Sequence, residues 1–197
     1  MPLAAAGHED SLEQYRDYLR LLASHQFGDR FQGKIDLSGV VQETLFEAHQ
    51  EKARGVNVTP AERLAWLRRI LANNLADQAR RLMADKRDVS REISLQAAVE
   101  LSSQRLEEWL ATEMPPGMAM EQDEQLLALV AALAHLPEAQ REAVILHYWS
   151  GQRLAEIAEH LGRSRDAIAG LIKRGLHQLR SELGARQASR AHDGGGR

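Results

Sequence analysis

Apolar positions recur along most of this chain at intervals of three and four residues, the spacing that places them on one side of a helix. Leu12, Tyr15, Leu19 and Leu22 follow Ser11 in this way and predict a first helix to about His25, with Gly28 and Gly33 in the loop after it. Asp36 is placed to cap a second helix that carries Val40, Val41, Leu45 and Ala48 on one face and ends near Gly55. Thr59-Pro60-Ala61-Glu62 combines a capping threonine, proline at the first helical position and a glutamate placed for a capping box. The helix it opens carries Trp66, Leu67, Ile70, Leu71 and Leu75, reaches about Met83 and displays arginines on its other side. These three helices can bury one shared core.

The pattern then weakens. Asp85-Lys86-Arg87-Asp88 interrupts it, and Met114-Pro115-Pro116-Gly117-Met118 excludes regular helix. A weak amphipathic helix fits around Ala97 to Leu110, and the stretch reads as a linker of marginal structure. Periodicity returns near Glu121, where Leu126, Leu127, Val130 and Leu133 define a helix that stops before Leu136-Pro137. Pro137 opens another helix through Ala143, Val144 and Leu146 to Ser150-Gly151, and Leu154 to Leu161 forms a short one closed by Gly162. Ser164 caps a long final helix to Leu183 with Gly184 beyond its end, and Ala185 to Arg197, rich in Gly and Arg, reads as a disordered tail. The expected architecture is all-α: small helical domains at residues 10–85 and 121–184, joined by a linker at 86–120 and followed by a tail at 185–197.

Composition agrees with helix over sheet: 44 % of residues are apolar but only 5 % aromatic, and the bulk of the apolar side chains are Leu and Ala. The absence of cysteine excludes disulfides and cysteine-based zinc sites. The start, Met1-Pro2-Leu3-Ala4-Ala5-Ala6-Gly7-His8, lacks the charged region and long apolar run of a signal peptide, and no stretch approaches a membrane span. A soluble, cytoplasmic protein is expected. The net charge of −3 argues against a polycation that coats nucleic acid by charge alone. Its distribution says more. Arg63, Arg68, Arg69, Arg80, Arg81, Lys86, Arg87 and Arg91 make one basic segment; Glu92 to Glu124 is acidic; the chain is basic again from Arg163. Among eight histidines, His147 and His160 form no helical metal pair, and neither a glycine-rich phosphate loop nor a nucleophile beside a base is present. No enzyme activity, cofactor or metal site is expected.

The most specific pattern lies at Leu154 to Leu176. A helix-turn-helix crosses two helices steeply and needs a small residue where they touch and a permissive one at the turn. Ala158 and Gly162 supply these, while Ile157, Leu161, Ile168 and Leu171 are spaced to fill the core between the helices. The second helix then presents Arg165, Lys173 and Arg174 outward. DNA binding is favoured over an ordinary helical hairpin with a solvated basic face. Gly170 and Gly175 each cost that helix about 1 kcal/mol relative to alanine. Either they permit close approach to DNA or to another helix, or they merely weaken it.

Leu136-Pro137-Glu138-Ala139-Gln140-Arg141-Glu142-Ala143-Val144, followed by Ala155-Glu156-Ile157-Ala158-Glu159-His160-Leu161-Gly162, resembles the C-terminal domain of extracytoplasmic-function (ECF) sigma factors of the sigma-70 type. Val40-Val41-Gln42-Glu43-Thr44 and Trp66-Leu67-Arg68-Arg69-Ile70, with Asn73 beyond, resemble helices of the N-terminal domain in that family. Order and spacing match over nearly everything from Ser11 to Leu183. The resemblance implies a domain 2-like unit, a domain 4-like unit and a factor that directs RNA polymerase to specific promoters for transcription initiation. It places contact with the polymerase β′ clamp on Asp36, Val40, Gln42, Glu43 and Thr44, with Gly39 where members often carry a second acidic residue. The loop Arg54 to Thr59 and the helix after it match the segment that reads and melts the −10 element. There Asn57 and Asn73 would bond base edges and Arg68, Arg69, Arg80 and Arg81 the phosphates, while a solvated or structural role remains open for each arginine. Trp66 reads as a core anchor rather than a melting wedge. Contact with the −35 element falls to Arg165, Lys173 and Arg174, although Ala169-Gly170-Leu171 replaces the basic–Ser–Arg triplet common in the family. By the same resemblance the acidic linker threads the channel used by nascent RNA; a solvated spacer would have the same composition. The implied partners are core RNA polymerase (β′ and β) and promoter DNA, with room for an anti-sigma factor. The alternatives are a stand-alone helix-turn-helix repressor or activator, and a helical adaptor whose basic faces serve acidic partners.

Overall fold

A computed structural model describes residues 11–27, 35–82, 90–113 and 122–193. Every regular element among them is helical, as expected. A 3₁₀ turn at Leu12–Tyr15 leads into α1 (Arg16–Phe27), followed by α2 (Leu37–Ala53), α3 (Pro60–Leu82), α4 (Ser90–Glu113), α5 (Gln122–His135), α6 (Glu138–Val144), α7 (Leu154–His160) and α8 (Arg165–Asp193). The chain divides into two compact units, Met1–Glu100 and Leu101–Arg197. The N-terminal ten residues, the loop with Gly28 and Gly33, the end of the third helix at Met83, the break at Asp85 to Asp88, the Met114 to Met118 segment and Glu121 lie outside the described residues, as does the end of the tail. Among the described residues no helix is long and apolar enough to cross a membrane.

In the first unit, Tyr18, Leu19 and Leu22 of α1, Val40, Val41, Leu45 and Ala48 of α2, and Leu67, Ile70, Leu71 and Leu75 of α3 are all buried. The start signals act locally. Asp36 accepts the Gly39 N–H at 3.0 Å, and a Cβ at residue 39 would sit 2.6 Å from the Asp36 carboxylate, so the glycine leaves this cap its room. Thr59 donates both its N–H and its hydroxyl to Glu62, at 3.2 and 2.7 Å, and these bonds hold the Glu62 carboxyl below its ordinary pKa. Ser11 precedes the first turn without a side-chain capping bond. Trp66 is buried and its Nε1–H donates to Glu51 at 2.8 Å, which makes it the anchor that was expected.

Residues 90–113, where the sequence pattern supports only marginal structure, form the continuous helix α4. Its buried stripe is Val99, Ser102, Ser103, Leu106, Trp109 and Leu110, a regular helical spacing in which two serines occupy inward positions. Those serines hide the stripe from a hydropathy reading. Their polar groups are engaged: Ser103 Oγ donates to Glu107 at 2.9 Å, and the Ser102 carbonyl accepts the Trp149 indole N–H at 2.7 Å within the second unit. Trp109 stacks on Tyr148 in that same unit, with centroids 5.6 Å apart and planes 14° from parallel.

The second unit buries Leu126, Leu129, Val130 and Leu133 of α5, Ala143 and Val144 of α6, and Ile168, Ile172, Leu176, Leu179 and Leu183 of α8. The helix opened by Pro137 does not run regularly to Ser150. It widens into a π turn at Ile145–Trp149, where the Ser150 N–H bonds the Ile145 carbonyl at 3.0 Å. The extra residue moves the inward position on to Trp149, which is fully buried. Helix α8 also differs from expectation, continuing through Gly184 to Asp193. One glycine costs about 1 kcal/mol in a helix interior. Attraction between Glu182 and Arg186, one turn apart across that glycine, favours continuation.

Candidate nucleic-acid interface

Helix α7 begins where Glu156 accepts the Arg153 N–H at 2.7 Å, and it ends in a Schellman turn. Gly162 takes φ +61°, its N–H bonds the Glu159 carbonyl at 3.3 Å, and the Arg163 N–H bonds the Ala158 carbonyl at 2.9 Å. Positive φ is what this position requires of its residue, and glycine meets it without steric cost. Ser164 then caps α8 by accepting the Ala167 N–H at 3.2 Å. Ile157 and Ile168 are fully buried between the helices, with Ala158 and Leu171 close behind, while Leu161 is half-buried. These are the contacts that a helix-turn-helix needs.

Arg165, Lys173 and Arg174 are all exposed. Arg165 and Lys173 lie two turns apart along one side of α8 with exposed Ala169 between them, so short side chains separate the cations along that face. The two glycines of α8 have different reasons. A Cβ on Gly175 would lie 2.8 Å from Val144 Cγ2, so this glycine admits the close approach of α6. At Gly170 the nearest atom to a Cβ would be the Arg174 guanidinium at 3.2 Å, the mobile end of a long side chain.

Residues 126–179 match the family model of Sigma-70, region 4. The matched span runs from α5 into α8 and contains the entire helix-turn-helix. This span is therefore similar to the DNA-binding region 4 of sigma-70-type factors, which supports a sigma-70-type factor or a related DNA-binding regulator. No curated protein matches the chain.

In the first unit the expected residues separate by burial. Asn57 is exposed in the loop after Gly55, which has φ +92°. Arg69, Asn73, Arg80 and Arg81 are exposed along α3, and Arg80 pairs with Asp77 one turn before it. Arg68 stands apart. Its guanidinium is buried, donates to both Glu100 oxygens at 2.9 and 3.1 Å, and reaches the Tyr18 hydroxyl at 3.2 Å. Burial works against its charge, but Tyr18 and Glu100 more than offset that and hold its pKa above the ordinary arginine value. Arg68 thus joins α3, α1 and the first part of α4, and its head group is not on the surface offered to phosphates. Periodicity holds the signal in retrospect, since Arg68 falls among Leu64, Leu67, Ile70 and Leu71.

The clamp-type residues separate in the same way. Asp36, Gln42 and Glu43 are exposed, whereas Val40 and Thr44 are wholly buried. Thr44 donates to the Val40 carbonyl at 2.8 Å and accepts from Asn74 at 3.2 Å, so both residues build α2 from the inside. Sequence reasoning missed Phe46, which is 63 % exposed one turn beyond Gln42. Its signal was a large aromatic on the polar side of α2. Phe46, Gln42, Glu43 and His49 line an open depression of about 480 Å³ together with Glu13 and Arg16, which are paired at 2.8 Å.

Proposed function

We propose that this chain is a sigma factor of the ECF type that directs core RNA polymerase to specific promoters. The observation that carries the reading is the joining, in one chain, of a region 4-type helix-turn-helix to a helical unit whose α2 exposes Gln42, Glu43 and Phe46 together. A regulator acting alone on DNA has no need of such a face; an amide, a carboxylate and a phenyl group suit docking on a basic protein helix. In this reading α8 contacts the −35 element through Arg165, Lys173 and Arg174. The α2–α3 loop and α3 read the melted −10 strand through Asn57, Asn73, Arg69, Arg80 and Arg81, and Asp36, Gln42 and Glu43 meet the β′ clamp. The deciding experiment is transcription from a library of promoter fragments by core polymerase, with and without the chain. Transcripts that start at defined sites only when the chain is added support the proposal. If the chain binds duplex DNA tightly and specifically at physiological salt but never changes the start sites chosen by core, it is a stand-alone regulator. Replacing Gln42 and Glu43 together by alanine should weaken core binding while leaving helical content intact, because both are exposed. Normal core binding by that variant would remove the clamp assignment.

A further inference from the structure

A groove of about 440 Å³ in the first unit is built from three helices. Glu47 comes from α2, Asn73, Asn74, Asp77 and Arg80 from α3, and Gln96 from α4. Its volume lies in the range that encloses a ring-sized ligand. The groove is strongly polar but poorly suited to a phosphate. Two carboxylates line it, and its one guanidinium is paired with Asp77. Carboxylates repel an anion and accept hydrogen bonds from an amine. Asn74 is committed inward, to Thr44 at 3.2 Å and Glu47 at 3.3 Å. Asn73 and Gln96 are exposed, and each amide can both donate and accept. Amides beside carboxylates complement the edge of a base in which an exocyclic amine adjoins a ring acceptor, as in adenine or cytosine. Thymine lacks that amine.

The position of Gln96 is anchored. Glu100, one turn further along the same side of α4, is gripped by buried Arg68 through two hydrogen bonds, and Val99 is buried beside it. An ordered helix turn costs a side chain less to immobilise than a loose linker does, so this grip prepares Gln96 to bind. We infer that Gln96, on the helix that the sequence alone reads as linker, joins Asn73 in reading one unpaired base that bears an exocyclic amine, with a groove carboxylate accepting that amine. The inference rests on the proposal that α3 reads a melted strand, and adds a specificity residue and a base class to it.

The test lets holoenzyme, made from core polymerase and the full chain, select from short single strands of random sequence, whose bound fraction is sequenced. The original chain should enrich an amine-bearing base over thymine at one position. Gln96→Ala should reduce that enrichment by about tenfold, the loss of one hydrogen-bonded pairing at a base edge. Asn73→Ala should act at the same position or its neighbour, and Gln96→Glu, which keeps the length but loses the amide donor, should shift the preferred base. Core affinity and the helical spectrum should be unchanged for both Gln96 variants, since the side chain is exposed. If Asn73→Ala changes the selected motif while Gln96→Ala and Gln96→Glu do not, the inference fails and the reading of α3 stands. If none of the three variants changes it, strand reading by this groove fails with it. Enrichment of thymine at the position that these variants alter would overturn the base class.

Discussion

Helix α3 carries Arg63, Arg68, Arg69, Arg80 and Arg81, and α8 carries Arg165, Lys173 and Arg174 within its first three turns. On paper both are basic faces for nucleic acid. In α3 one of those arginines has turned inward, where a carboxylate and a phenol surround it. In α8 the three cations stay outside and glycine, rather than arginine, occupies the crowded inner position. Positive charge on a helix is therefore no measure of the charge offered to a ligand. The neighbours on the other elements decide it.

The largest test of this contrast sets Arg68 against Arg174. Arg68→Ala should cost about 2–3 kcal/mol in chemical denaturation, somewhat less than a fully buried pair because Glu100 remains half-exposed and hydrated. Arg174→Ala should leave stability within about 0.5 kcal/mol, yet weaken binding of holoenzyme to closed duplex promoter by about 1–3 kcal/mol in gel shifts. A stable Arg68→Ala protein with impaired strand binding would reverse the assignment of Arg68 to the interior.

Next in size is a contrast between adjacent amides. Asn74 bridges Thr44 and Glu47 from a buried position, whereas Asn73 is exposed. Asn74→Ala should destabilise the fold by about 1–2 kcal/mol through a buried hydroxyl and a carboxylate left short of a donor. Asn73→Ala should spare stability and the initial duplex complex, and lower permanganate reactivity of promoter thymines with core polymerase present. A premelted template should partly rescue it. Equal stability losses from the two variants would show that α3 presents no amide for reading.

Smaller effects separate the glycines of α8. Gly175→Ala drives a methyl into the rigid, buried Val144, a strain of about 1–3 kcal/mol that exceeds the helix-propensity gain of about 1 kcal/mol. Gly170→Ala meets only a guanidinium that can swing aside, so it should stabilise by up to about 1 kcal/mol. Thermal melts of both variants check the opposite signs. If Gly170→Ala also leaves duplex affinity unchanged, close backbone approach to DNA at that position is excluded.

The smallest effect is acid dependence at Glu182. Burial raises its pKa, but hydrogen bonds with Gln178 and His135 and the nearby Arg186 charge lower it further, so the net direction is down. A carboxyl lowered in the fold binds its proton less readily folded than unfolded. Its contribution is complete above the ordinary carboxylate range and is lost as pH falls through the lowered folded value. Glu182→Gln should therefore flatten the acid limb of stability measured by denaturation, with a small loss near neutrality that disappears in acid, where the carboxyl is protonated in both states.

Much of the fold was legible because its signals are local. The caps at Asp36 and Ser164, the turn at Gly162 and the inward residues Ile157 and Ile168 act within a few positions of themselves, and each has the role expected of it. At Thr59 the Glu62 half of the capping box forms, while the threonine hydroxyl donates to Glu62. Helix α4 was legible only as a weak helix around Ala97 to Leu110 because two of its inward positions are serines, whose polarity is satisfied by Glu107 and by the indole of Trp149. The π turn was missed because one extra residue in a helix leaves no mark on composition. Among the expected site residues, Val40 and Thr44 share their positions in the motif with Gln42 and Glu43 but not their exposure.

What the sequence by itself determined, then, is the all-helical class, most of the starts and stops of helices, and a helix-turn-helix with three outward cations. These follow from hydrogen bonds and steric limits within one or two turns, which neighbouring residues settle alone. Only the tertiary structure decided that Arg68 belongs to Glu100 and Tyr18, that Asn73 is exposed while Asn74 is buried against Thr44 and Glu47, and that Gln96 shares a groove with α3. The partners of Arg68 stand 50 residues before it and 32 after it. No local pattern carries that distance, because a buried charge selects its partner by desolvation and geometry once the helices have packed.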